Sequence, residues 1–235
     1  MAHKHTLRNE SLFIALAEDL KTPLTRIAYH AEVAALEQQS AENIQHAAKQ
    51  ALALLDAYVL GMKGASQTTL QLEPVDPSAI LYDAAHELRE HAKKFSCQVL
   101  LDTAHSHKLV LSHKQALTSA VANIARVLIE AQDAIGAGAK HITLASYRTT
   151  RGMAVGVFYG TDRMQGMHEQ LLSRARSHVG VAARPFVGFA SGASSHLFAA
   201  EQLLESVDSR LRTARRGAVH GLAFDLSMLQ QLTLV

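Results

Sequence analysis

From residue 11 to residue 65, apolar side chains recur every three or four positions. Leu16, Leu20, Leu24, Ile27, Ala31 and Ala35 share one face of a long helix. A polar run at 38–43 interrupts it, and Ser40 with Asn43 offers capping chemistry for a new helix. Ile44, Ala48, Ala51, Leu55, Tyr58 and Met62 form a second stripe, which Gly61 and Gly64 weaken and end. The pattern predicts a helical hairpin over residues 1–66. Each helix buries only one side of its stripe in a lone hairpin, so the hairpin is expected to complete a four-helix bundle with a second copy of the chain. The plainer alternative packs it on its own C-terminal domain.

Over residues 67–235 the periods mix. The alternation at 70–75 breaks at Pro74 and Pro77, and residues 78–94 read as a helix. Residues 97–101 and 108–111 are short strands. A strong helix over 113–134 carries Leu117, Val121, Ile124, Leu128 and Ile129 on one face. Strands follow at 140–148 and 153–159, then a helix near 165–177 and a Gly-, Ala- and Ser-rich stretch to 194. The last helix spans 195–207, and 210–213 with 218–227 form a closing hairpin. The fold class expected is α+β. A helical hairpin leads into an α/β sandwich, a mixed and mostly antiparallel sheet with helices on one face.

Composition narrows the function. The chain has 235 residues, and Lys+Arg 23 against Asp+Glu 21 gives a formal net charge of +2, so no partner is chosen by charge alone. The densest basic cluster, Arg210, Arg212, Arg215 and Arg216, is too narrow for nucleic acid, and aromatics are only 5%. The one cysteine, Cys97, excludes a disulfide framework and a Cys-rich zinc site. In its apolar strand it reads as a small buried hydrophobe. No long apolar run predicts a membrane span, and residues 1–5 lack the apolar core of a secretory signal, so a soluble, cytoplasmic protein is expected.

In the first helix stands Ala17-Glu18-Asp19-Leu20-Lys21-Thr22-Pro23-Leu24. A proline inside a helix costs about 3 kcal/mol, so its presence asks for a reason. This octapeptide resembles the phosphoacceptor box of sensor histidine kinases, Ser-His-Glu-Leu-Arg-Thr-Pro-Leu. The order of elements likewise resembles that family's dimerisation hairpin followed by its Bergerat-type ATP-binding domain. The resemblance runs from Leu12 to Leu229.

The departures define the expected function. The phosphoacceptor histidine falls on Glu18, and a carboxylate forms no phosphoramidate. Of the family's Asn-x-x-x-Asn pattern, Asn123 keeps the first position, but Val127 stands at the metal-binding one and supplies no oxygen to Mg²⁺. The adenine-reading Asp aligns with Tyr159, and the glycines of that box with Thr161 and Arg163. Of the later phosphate-facing Gly-x-Gly only Gly192-Ala193-Ser194 is left, with Gly188 upstream. A cradle for phosphate needs backbone N–H groups unobstructed by Cβ atoms. The resemblance therefore implies a degenerate member that binds neither ATP nor a metal. It would work as a homodimer that presents Glu18, Asp19, Thr22 and Arg26 to a receiver domain or a partner kinase.

Asp19 and Thr22, three residues apart, share a helix face. In the family such a pair orients the water that attacks a receiver's aspartyl phosphate, so an aspartyl-phosphate phosphatase is an alternative. In the plainer reading Asp19 meets Lys21 or solvent and Thr22 bonds a carbonyl before Pro23. A phosphotransfer protein using His30 or His46 is a further alternative, against the plain reading of both as surface histidines. His105, His107 and His113 are read as a solvated turn rather than a metal site. Ser194-Ser195-His196 lacks the nucleophile elbow of a hydrolase.

Overall fold

The computed structural model describes residues 20, 23–27, 29, 39–65, 71–103, 109–150, 152–160, 166–177 and 193–227. Of the first predicted helix, Leu20, residues 23–27 and Tyr29 are helical, and Pro23 is buried within it. Helix α1 spans Gln39–Ala65. It begins before the expected caps, so Ser40 and Asn43 lie inside its first turns, and it runs through both glycines to Ala65. Ala57 and Tyr58 of α1 enter the core, where the Tyr58 ring meets that of Phe198 at 6.3 Å. Leu52, Leu55 and Val59 stay exposed on another face of the same helix, as do Leu24 and Tyr29 of the preceding one.

The remaining order is β1 (Glu73–Val75), α2 (Pro77–Lys94), β2 (Cys97–Thr103), β3 (Val110–Ser112), α3 (Lys114–Ala134), β4 (Lys140–Thr149), β5 (Gly152–Tyr159), α4 (Met167–Ser177), α5 (Ala193–Glu205), β6 (Arg212–Arg216) and β7 (Val219–Leu226). Five strands form a mixed sheet in the order β2-β4-β5-β7-β6, parallel only between β2 and β4. The sequence pattern suggests a single sheet, but β1 and β3 pair with each other in a separate antiparallel ribbon. Each is three residues long, and Pro74 in the middle of β1 has no N–H to give a larger ladder. Val75 and Val110 pin the ribbon to the core.

Local chemistry fixes the helix starts. The Asp76 side chain accepts the Ser78 N–H at 2.8 Å, and Pro77 opens α2 where its missing N–H costs nothing. His113 leaves the expected solvated turn to cap α3, its Nδ1 accepting the Ala116 N–H at 3.2 Å. Helix α3 is buried nearly all round, which makes it the central helix of the layer. It packs between α2 and α5 on one face of the sheet, against Ile142, Leu144, Val155 and Val157. The opposite face has a small apolar patch of Ala145, Phe158 and Ala223. Arg216 covers it, its guanidinium 4.9 Å from the Tyr147 ring centre and 2.7 Å from the Asp102 carboxylate. Cys97 is buried, and desolvation pushes its thiol up to about 11, which keeps it protonated and inert.

Candidate functional site

The site begins on α3, where Asn123, Arg126 and Glu130 stand at i, i+3 and i+7 and each meets different surroundings. Asn123 is buried, and its amide oxygen lies 2.8 Å from Nδ1 of His196 in the first turn of α5. An amide oxygen only accepts, so in this arrangement the imidazole donates its Nδ1 proton. Burial, reinforced by the positive charge of Arg126, lowers the His196 pKa to about 3. The pair is thus a neutral contact between two helices. Val127, one turn along from Asn123, is fully buried among apolar side chains.

Tyr159 closes β5 and forms the second buried pair. Its hydroxyl stands 2.6 Å from Nδ1 of His168 on α4. Burial, with Glu169 adding to it, pushes the Tyr159 pKa up to about 12, while burial lowers that of His168. Both groups are therefore neutral, joined by a single hydrogen bond between hydroxyl and imidazole. His220, opposite Tyr159 on β7, stacks toward the same ring with centroids 5.9 Å apart. A tyrosine and two histidines thus occupy one end of the sheet beneath α4.

A second polar region lies along the seam between α2 and α3. Glu130 is 11% exposed, its carboxylate 3.5 Å from Nε2 of His91. Desolvation raises its pKa to about 7 against the pull of Arg26, Arg126 and Lys94. Burial lowers the Arg126 pKa while the negative charges of Glu87 and Glu130 favour its charged form, and Glu87 is itself raised by burial. Arg26, which the sequence assigns to a receiver-facing surface, is half-buried, and its charge acts on Glu130 and Lys94 of this seam.

Of the residues singled out in the sequence, Asn123, Val127 and Tyr159 lie in the layer formed by α3, β5, α4 and α5. Glu18, Asp19, Thr22, His30, Gly188 and Gly192 lie outside the described residues, as does the side chain of His46. Sequence reasoning missed the partners, His196 and His168. Each begins a buried stripe, His196 with Ala200 and Leu203, His168 with Leu171, Leu172 and Ala175. A histidine on a buried stripe needs a hydrogen-bond partner, and that signal was available. Among the described residues, no three His, Cys, Asp or Glu side chains gather to hold a metal ion. Among the same residues, no helix is long and apolar enough to cross a membrane.

No protein-family model matches the chain, and no curated protein matches it by sequence. Its similarity to solved structures is extensive. The histidine kinase AdeS of Acinetobacter baumannii superposes with a TM-score of 0.55 at 11% identity, over 90% of this chain and 98% of that one. Full-length ShkA in complex with AMPPNP superposes at 0.53 and 13% identity, over 95% of this chain and 45% of that one. At these identities the agreement speaks for architecture: among the described residues, a long N-terminal helix, a central buried helix and a five-stranded mixed sheet. The chain has a histidine-kinase-like fold.

Proposed function

We propose that this chain is a degenerate histidine-kinase-like protein that acts in phosphorelay signalling by binding a receiver domain or a partner kinase, without using ATP. The observation that carries the reading is the engagement of Asn123 by His196 at 2.8 Å. The amide oxygen that the family resemblance assigns to the nucleotide side is already satisfied within the protein. Val127 contributes no oxygen for Mg²⁺, and the Tyr159 ring with His168 fills the end where an adenine would need an acidic acceptor. ATP with Mg²⁺ does not fit these residues.

In this reading residues 1–66 supply the docking surface and residues 67–235 serve as a rigid partner to it. The exposed Leu52, Leu55 and Val59 of α1, with Leu24 and Tyr29 before it, give a homodimer apolar area to bury. Glu18 places a fixed negative charge where a phosphohistidine would stand. The test is incubation with radiolabelled ATP and Mg²⁺, followed by titration with a purified receiver domain. The account expects no label on the chain and a saturable receiver complex that Glu18→Ala weakens. Label on the chain, or unchanged binding by Glu18→Ala, contradicts it.

A further inference from the structure

The two edges of the five-stranded sheet are built differently. An exposed edge carries unpaired backbone N–H and C=O groups, and proteins commonly guard it with charged side chains. The β6 edge follows that rule, with Arg212, Arg215 and Arg216 in five residues. The β2 edge has one charge, Asp102, in seven residues, and Leu100 and Leu101 are each 38% exposed. Among the described residues β2 pairs only with β4, so its other edge is unpaired. Side chains alternate along a strand, so β2 offers two different rows. Cys97, Val99 and Leu101 point toward α2, where they line a groove of about 560 Å³. Gln98, Leu100 and Asp102 point to the other face of the sheet, where the Asp102 carboxylate accepts from Arg216 at 2.7 Å.

This strand complements itself about Leu100. In an antiparallel pair centred there, all seven positions overlap: Leu100 meets the second copy's Leu100, Val99 its Leu101, Gln98 its Asp102 and Cys97 its Thr103. Directly opposite residues share a face, so apolar side chains oppose apolar ones on both faces of the sheet. The Gln98 amide donates to the opposite carboxylate, which accepts from several donors at once, and no like charges stand opposite each other. Centring the pair on Val99 or Leu101 instead sets Gln98 or Asp102 against Leu100 and shortens the overlap. The two-fold axis that relates the strands brings both α2 helices to one side of the joined sheet, running antiparallel. Their exposed residues there, Tyr82, His86, Arg89, Glu90 and Lys93, mix both signs with an aromatic ring, so neither helix faces an unbroken line of its own charge.

We propose that two copies of this chain join through the open edge of β2, antiparallel about Leu100, so that the five strands of each form one continuous sheet of ten. Backbone pairing along the edge supplies affinity, as in other strand-addition interfaces. The two grooves fuse over a shared apolar floor, Val99 and Leu101 from each copy. This contact is separate from the α1 face and from the phosphorelay reading, and it survives the failure of either.

The test is sedimentation equilibrium of the full-length protein carrying Leu52→Lys and Leu55→Lys, two exposed positions whose change spoils the α1 face. The mass is expected to double with concentration, and amide hydrogen exchange over residues 97–103 to slow as it does. Leu100→Lys sets two ammonium groups against each other at the centre and should weaken association about tenfold or more. Gln98→Lys faces Asp102 twice in each contact and should strengthen association about fivefold, and Gln98→Asp should weaken it by about the same factor. Both substitutions are at exposed positions, and the gain expected from Gln98→Lys does not arise from misfolding. A mass that stays monomeric to millimolar concentration, association indifferent to Leu100→Lys, or Gln98→Lys and Gln98→Asp acting alike each overturns the proposal.

Discussion

Helix α3 faces two polar regions that solve the problem of burial in opposite ways. On the side of α4, α5 and β5, polar groups are neutral and directly paired, Asn123 with His196 at 2.8 Å and Tyr159 with His168 at 2.6 Å. Along α2 they are charged and share a diffuse field, with Glu130 among Arg26, Arg126, Lys94 and His91. A neutral pair in a dry core exchanges one satisfied hydrogen bond for another and leaves no charge to desolvate. A charged cluster retains a desolvation cost, which surfaces as the raised pKa of Glu130. The first region locks helices together, and the second responds to pH and to whatever moves Arg26.

The largest expected effect comes from breaking the better of the two locks. His196→Ala leaves the Asn123 oxygen buried without a donor and opens a cavity, which should cost about 3 kcal/mol of stability at pH 8 by denaturant unfolding. The folded pKa of His196, about 3, lies below its ordinary 6.5, so its neutral burial stabilises fully above pH 6.5. Below that the unfolded chain takes up a proton the folded one refuses, and the contribution fades as pH falls. The gap between wild type and His196→Ala should therefore narrow by up to about 1.4 kcal/mol per pH unit below 6.5. A gap constant from pH 8 to pH 5 would mean that His196 is not neutral and buried as described.

Glu130 carries the opposite sign. Its folded pKa of about 7 stands above the ordinary 4.5, so between these values the folded state holds a proton that the unfolded state has released. Its contribution to stability falls as pH rises through this window and is lowest above pH 7. Glu130→Gln should remove that slope, gaining about 3 kcal/mol relative to wild type between pH 4.5 and pH 7.5. Parallel curves for the two proteins would place Glu130 in solvent. The smallest effect is expected from Tyr159→Phe, which keeps the ring and removes one hydrogen bond, at about 1 kcal/mol.

How far the sequence discloses this contrast depends on the distance over which each signal acts. The stripe of α3 and the strands β4 and β5 follow from local periodicity, as do the caps at Asp76 and His113 once the helix starts are known. The positions of Asn123, Val127 and Tyr159 follow from the family resemblance. Their partners do not, because Asn123 and His196 are 73 residues apart and no local pattern joins them. The β1–β3 ribbon was hidden for a similar reason: two three-residue strands carry too little alternation to assign a sheet. Arg26 looks like a surface residue on its own helix, and only the packing of that helix brings its charge to bear on Glu130 and Lys94.

The central proposal is that the region which the family resemblance assigns to a nucleotide, around Asn123 and Tyr159, is filled by the protein's own side chains. Calorimetric titration of the intact protein with ATP and Mg²⁺ to millimolar concentration tests it most directly. The account predicts no heat of binding, with His196 and Tyr159 keeping their internal partners. Saturable binding at micromolar strength would contradict it, because Asn123 and Tyr159 would then have to release those partners for the nucleotide.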